Sequence, residues 1–298
     1  MQRNKKIAFV GGDRRFLTAA KILGERGNEC AVCGFDACEE DFGPVTRCRE
    51  LISAVGGADA VVLPLPYSTD GRLVPCPLSS GGLKLSELLA SLSEGQILLG
   101  GCLDGAIREQ LRQKGVRALD YYENESLCIR NAIPTAEGAL AIAMNEMPIT
   151  LHAARACVLG YGRIGKVLAA QLKALGAETT VFARKSTDRT WIEAAGCHAA
   201  DITQMEACGL SFDVIFNTVP HAVLNRERLS LLGKETLLID LASRPGGIDF
   251  EAAKELGLRC VYALSLPGKC SPVSAGLYIA EALCEELEAC EETKGERA

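Results

Sequence analysis

Three glycines in the run Ala156-Cys-Val-Leu-Gly160-Tyr161-Gly162-Arg163-Ile164-Gly165 have the spacing a dinucleotide phosphate needs. An apolar strand precedes them and a helix over residues 166–175 follows. Gly160 permits the tight turn, Gly162 lets backbone approach a pyrophosphate, and Gly165 lets the helix close on the strand. The helix N-terminus then offers amide donors and the positive end of its dipole. A second strand, residues 179–183, ends in Ala183-Arg184-Lys185-Ser186-Thr187. NAD sites place a carboxylate there for the ribose 2′-hydroxyl, and this turn has none. Arg184 can stack on adenine and meet a 2′-phosphate, with Ser186 and Thr187 donating to its oxygens. The turn favours NADP; as an exposed basic turn it would also tolerate NAD.

Two later strands leave polar loops, Asn217-Thr218-Val219-Pro220-His221 and Asp240-Leu241-Ala242-Ser243-Arg244-Pro-Gly-Gly. Both belong at the carboxyl edge, where open α/β sheets bind ligands. Asn217, Thr218, Val219 and Pro220, with Leu241 and Ala242, are the expected cofactor-lining residues. Ser243 and Arg244 would stand near the reacting ring. The loop over residues 263–276 falls at the same edge.

These residues need a scaffold, and the chain alternates strand and helix from its start. A strand over residues 6–12, a helix over 14–26 and a strand over 29–34 make a β-α-β unit. A third strand, 60–64, opens into a loop, 65–76, rich in Pro, Ser and Gly, and the alternation continues to a strand near Arg117. The first glycine turn, Val10-Gly11-Gly12-Asp13-Arg14-Arg15, lacks the third glycine and points Asp13 at any incoming phosphate. It reads as a strand-to-helix turn. The expected architecture is α/β, two doubly wound domains around a cleft, the C-terminal one a Rossmann domain. Residues 1–128 form a flavodoxin-like domain and 129–148 a linker helix, in which Pro134 and Thr135 start the helix and Glu137 lies in its first turn. Residues 149–271 form the Rossmann domain, and 272–298 a C-terminal helix packing back toward the first domain, with a frayed tail.

Composition narrows the class. The 298 residues are 48% hydrophobic and 23% charged with 30 Gly, as in a compact α/β enzyme. A net charge of −6 with no basic stripe argues against nucleic acid as a partner. The apolar run 7–10 is too short for a signal segment or membrane span, so the cytoplasm is expected. The 14 Cys are scattered through strands and helices and read as reduced thiols. Cys30 and Cys33 form a CxxC inside a strand with no second pair at zinc spacing, so no metal is expected.

The order strand, NTVP, helix, strand, SRPGG resembles the cofactor domain of D-2-hydroxyacid dehydrogenases. In that family an Arg of the corresponding loop holds the substrate carboxylate, which makes Arg244 a candidate. The family's later catalytic His has no counterpart, because the three His are His152, His198 and His221. Over nearly the whole chain, GGDRR, NAIPTAEG, GYGRIG, ARKS, NTVPHAVLN, DLASRPGGIDF and LPGKCSPVSAG resemble the dipicolinate synthase A-subunit family. That resemblance implies an NADP-dependent oxidoreductase of the mother-cell cytoplasm in a sporulating bacterium. With the synthase's flavodoxin-like B-subunit it would turn the dihydrodipicolinate-stage product of lysine biosynthesis into dipicolinate.

A small dicarboxylate substrate calls for cationic and neutral donors. Arg244 comes first, with Ser243 and Thr135 as neutral donors and Lys269 and Arg130 as weaker cations. Lys269-Cys270 departs from the apolar residues expected inside the LPG loop. Tyr67, Ser68 and Thr69 would come from the opposite wall. Aromaticity drives the proton loss, so a strong base is dispensable; Glu137, Asp240 and His221 are the candidates. Each has a plainer role, as a helix-end charge, an acceptor of loop amides and a surface residue at a helix start. A dehydrogenase of another small carboxylate, a non-catalytic NADP-binding partner protein and self-association all stay open.

Overall fold

The computed structural model describes residues 4–208 and 210–295. The chain divides into two units, Met1–Arg130 with Pro272–Ala298, and Asn131–Ser271.

In the first unit six short strands pair in parallel: β1 (Lys6–Val10), β2 (Glu29–Cys33), β3 (Thr46–Cys48), β4 (Ala60–Val62), β5 (Ile97–Gly100) and β6 (Arg117–Asp120). The order is β3-β2-β1-β4-β5-β6. This is the dinucleotide-fold order, not the 2-1-3-4-5 order of flavodoxin, so the flavodoxin-like expectation is corrected. The strand that decides it is β3, a three-residue Thr-Arg-Cys edge with no apolar run. Side chains alternate between two cores, Ile7 and Phe9 on one face and Ala8 and Val10 on the other. Cys30 and Cys33 fall on opposite faces by the same alternation, so the CxxC cannot close on one ion. Helix α1 (Arg14–Glu25) packs on the C-terminal helix Pro272–Gly295 through Phe16, Leu17, Ile279, Leu283 and Leu287. The loop after β4 contains a two-stranded hairpin, Leu73–Val74 with Leu83–Lys84, that composition did not indicate.

Helix α2 spans Glu125–Glu146 with Pro134 inside it. Pro134 and Thr135 therefore do not start a helix, as their types suggested. Thr135 is buried and donates its Oγ1 to Asn131 O at 2.8 Å, one turn back. The proline lacks only one N–H, and the long helix tolerates that loss where a short one would end.

The second unit repeats the topology: β7 (Arg155–Leu159), β8 (Glu178–Ala183), β9 (His198–Asp201), β10 (Val214–Asn217), β11 (Leu237–Asp240) and β12 (Arg259–Tyr262), in the order β9-β8-β7-β10-β11-β12. Val158, Phe216 and Ile239 fill one face, and Leu159, Ile215 and Leu238 the other, as a parallel sheet covered on both faces requires. Helices α3 (Arg163–Ala174), α4 (Ser186–Ala194) and α5 (Leu266–Cys270) complete the carboxyl edge. The LPG segment, expected as loop, is α5.

Candidate functional site

The strand order of the second sheet reverses at the β7–β10 junction, where open α/β sheets take ligands. The three fingerprint glycines meet different constraints there. Gly160 has φ +98°, and a Cβ on it would lie 2.5 Å from Thr218 Oγ1, which itself donates to Leu159 O at 2.8 Å. A Cβ on Gly165 would run into Gly160 O. The fold's own packing therefore explains both. Gly162 has φ −78°, which any residue adopts, and a Cβ on it would meet nothing within 4 Å. It is the N-cap of α3 and supplies no side chain to cap the helix. Helix-start amides without a side-chain cap, beside open space at Gly162, form an anion cradle, and the donor set fits a dinucleotide pyrophosphate. Tyr161 and Ile164 pack against the core of the unit, and Lys166 lies 5.6 Å from the centre of the Tyr161 ring.

At the end of β8, Ala183 is buried and Arg184, Lys185, Ser186 and Thr187 are exposed. The turn is held from behind by Arg189, which donates to Ala183 O at 3.1 Å and Arg184 O at 2.9 Å. Arg189 also pairs with Asp201 at 2.9 Å. Sequence reading missed Arg189, because its partners lie on two separate strand ends.

Asn217 and Asp240, paired in register across β10 and β11, are both fully buried. Asn217 Nδ2 donates to Asp240 Oδ1 at 2.8 Å and to Val219 O at 3.0 Å, while its Oδ1 accepts from Val219 N at 3.1 Å. Asp240 Oδ1 also accepts from Ala242 N at 3.0 Å, and its Oδ2 from Gly247 N at 2.8 Å and Ile248 N at 3.3 Å. These two side chains shape both loops, so Asn217 does not line a ribose and Asp240 is not a free base. Leu241 and Ala242 are likewise buried and present only backbone.

Ser243 and Arg244 are exposed in the loop after β11, His221 in the bend after β10, and Lys269 on α5. Glu137 is exposed on α2, far from its first turn. His221 precedes helix Arg226–Ser230 by a loop rather than starting it. Arg130 is committed to Glu281 and lies 5.9 Å from the Tyr278 ring centre.

The other candidates belong to the first unit and are largely spent on its own structure. Tyr67 is buried and donates to Asp104 Oδ2 at 2.6 Å; burial and then that carboxylate push its phenol up to about 12. Ser68 Oγ donates to Leu73 O at 2.6 Å and accepts from Gly71 N at 3.0 Å. Thr69 is exposed. The first glycine turn is closed: Gly12 N donates to Pro75 O at 2.7 Å. Asp13 caps α1, accepting from Arg15 N at 3.0 Å and from the Arg15 guanidinium Nε at 2.9 Å. Among the described residues there is no His/Cys/Asp/Glu cluster for a metal ion and no helix long and apolar enough to cross a membrane.

Known proteins carry the same features. Residues 6–122 match the family model of the dipicolinate synthase A-subunit N-terminal domain. Residues 135–254 match that of the D-isomer specific 2-hydroxyacid dehydrogenase NAD binding domain. The chain is 30% identical over 283 residues to the dipicolinate synthase A-subunit of Bacillus subtilis (strain 168), with 95% of each sequence covered. The chain belongs to the dipicolinate synthase A-subunit family. The crystal structure of that protein from Bacillus halodurans aligns at a TM-score of 0.87 with 30% identity, covering 96% of this chain and 99% of that one. The crystal structure of its Bacillus subtilis counterpart aligns at 0.86 with 29% identity, covering 98% and 99%. The second unit is thus an NAD-binding domain of the dehydrogenase type, in a component of dipicolinate synthase.

Proposed function

We propose that the chain oxidises dihydrodipicolinate to dipicolinate with NADP⁺, together with the synthase's flavodoxin-like B-subunit, in the mother-cell cytoplasm during sporulation. The observation that carries this reading is the open face at Gly162 beside a basic turn without a carboxylate, in a chain of this family. The reaction balances as dihydrodipicolinate plus NADP⁺ giving dipicolinate, NADPH and a proton. The bound nicotinamide supplies hydride acceptance. The α3 amides and Gly162 hold the pyrophosphate, and Arg184, Lys185, Ser186 and Thr187 hold the 2′-phosphate, with NAD as the weaker cofactor. Thr218, Val219 and Pro220 flank the nicotinamide ribose. Ser243 and Arg244 hold one substrate carboxylate, and Lys269 is a further cation for the other. No buried base is called for, because aromatisation favours the proton's loss and exposed His221 or Glu137 can pass it to water.

The saturated Asp240 also supports a second reading, a cofactor-binding protein whose partner does the chemistry. Absorbance at 340 nm separates the two. Dihydrodipicolinate generated in situ is mixed with NADP⁺ or NAD⁺ and the purified chain, with and without the B-subunit. NADPH formed in step with dipicolinate is expected; dipicolinate without NADPH would leave this chain a binding component.

A further inference from the structure

Tyr262 ends β12 beside Asp240, its register partner on β11. Its ring packs on Phe250, with centroids 5.1 Å apart. Its hydroxyl oxygen is buried and has no hydrogen-bond partner. The nearby carboxylate cannot supply one. Both Asp240 oxygens already accept two N–H groups each, from Asn217 and Ala242 and from Gly247 and Ile248. The loop backbone closes over both groups: a Cβ on Gly246, at φ +88°, would lie 2.7 Å from Asp240 Oδ2 and 3.5 Å from Tyr262 Oη. Two residues earlier the same loop carries exposed Arg244, whose charge is felt by the phenol. Burial first, and then Asp240, keep the phenol above its ordinary value against Arg244, so at neutral pH it is an O–H donor.

A buried donor without an acceptor is costly and rare, and a donor beneath the loop that carries an exposed cation, at the ligand edge of a sheet, has an evident use. We infer that Tyr262 Oη is a substrate-binding donor that joins Arg244 on a carboxylate of the dicarboxylate, gaining its partner as the Ser243–Pro245 segment shifts around the ligand. This assignment rests on the proposed function and adds a residue to it. A cation and a neutral O–H on one carboxylate fix its orientation as well as its charge.

Tyr262→Phe tests it, because the ring and its packing on Phe250 are kept. Wild type and variant, each saturated with NADPH, are titrated with dipicolinate, and their melting temperatures are measured without ligands. The expected result is a dipicolinate Kd raised about tenfold or more, equivalent to about 1.4 kcal/mol. NADPH affinity stays unchanged, and the free variant is at least as stable as wild type. Equal dipicolinate affinity in the two proteins would overturn the assignment and leave the reading of the substrate intact. A free variant that melts lower would also overturn it, since the hydroxyl would then have a structural partner. Wild type that binds NADPH but not dipicolinate would overturn both.

Discussion

Asp240 and Arg244 stand four residues apart at one strand end and have opposite relations to their surroundings. Asp240 accepts from Asn217, Ala242, Gly247 and Ile248 with no solvent exposure, whereas Arg244 is exposed. Asp240→Asn would replace an acceptor-only group by an amide whose NH₂ faces N–H donors. We expect a loss of about 2–4 kcal/mol in stability, with cofactor and substrate binding falling together. If the variant instead kept its melting temperature and changed only the pH profile of turnover, Asp240 would be a base after all. Arg244→Ala should leave the melting temperature and NADPH affinity in place and reduce turnover at least tenfold; unchanged turnover would remove Arg244 from the site. The residue types at these positions were legible in the sequence, but their roles were not. An Asp before a glycine-rich loop can serve as a base or as an amide acceptor, and only the count of donors around it decides. Tyr262 and Arg189 gave no signal at all, because what marks them is a missing partner in one case and partners on distant strand ends in the other.

The β7–α3 turn shows how much an element discloses before its packing is known. Strand, glycine spacing and helix were all readable, since each is a local pattern. The spacing also gave the turn to Gly160, the close packing to Gly165 and the ligand approach to Gly162; the contacts that enforce the first two, Thr218 and Gly160 O across the turn, were not readable. The packing separates them by experiment. Gly165→Ala pushes a methyl against Gly160 O and should cost about 1–3 kcal/mol of stability. Gly162→Asp enters open space at an ordinary φ, and an Asp is a good N-cap, so the melting temperature should hold or rise. Its charge and bulk at the α3 N-terminus should nevertheless reduce NADPH affinity by two orders of magnitude or more. Retained affinity would mean that the phosphates do not lie there. Elements without an apolar run fared worse in the sequence. The edge strand β3 and the Leu73–Val74 hairpin strand are too short to show a period. Helix α2 was cut short at Pro134 because proline marks helix starts far more often than helix interiors.

Both units have the dinucleotide-fold strand order, yet of their two glycine turns one is open and the other is closed by the chain itself. In the first unit Gly11 and Gly12 take positive φ as a phosphate loop would. The amide of Gly12 is spent on Pro75 O, however, and the Asp13–Arg15 pair occupies the start of α1 with Arg15 only 6% exposed. An incoming phosphate would have to break that hydrogen bond and meet the Asp13 carboxylate. Topology thus gives the chain two ligand edges of the same kind, and side-chain chemistry reserves the dinucleotide for the second. The consequence is a stoichiometry. Isothermal titration of the whole chain with NADPH should give one site per chain, and the same titration of Gly162→Asp should show none at comparable concentrations. A weaker site that survives in Gly162→Asp would have to use another surface. If Asp13→Asn then strengthened it, the first turn would be an anion site that its carboxylate merely restrains, and the division of labour drawn from the closed turn would fail.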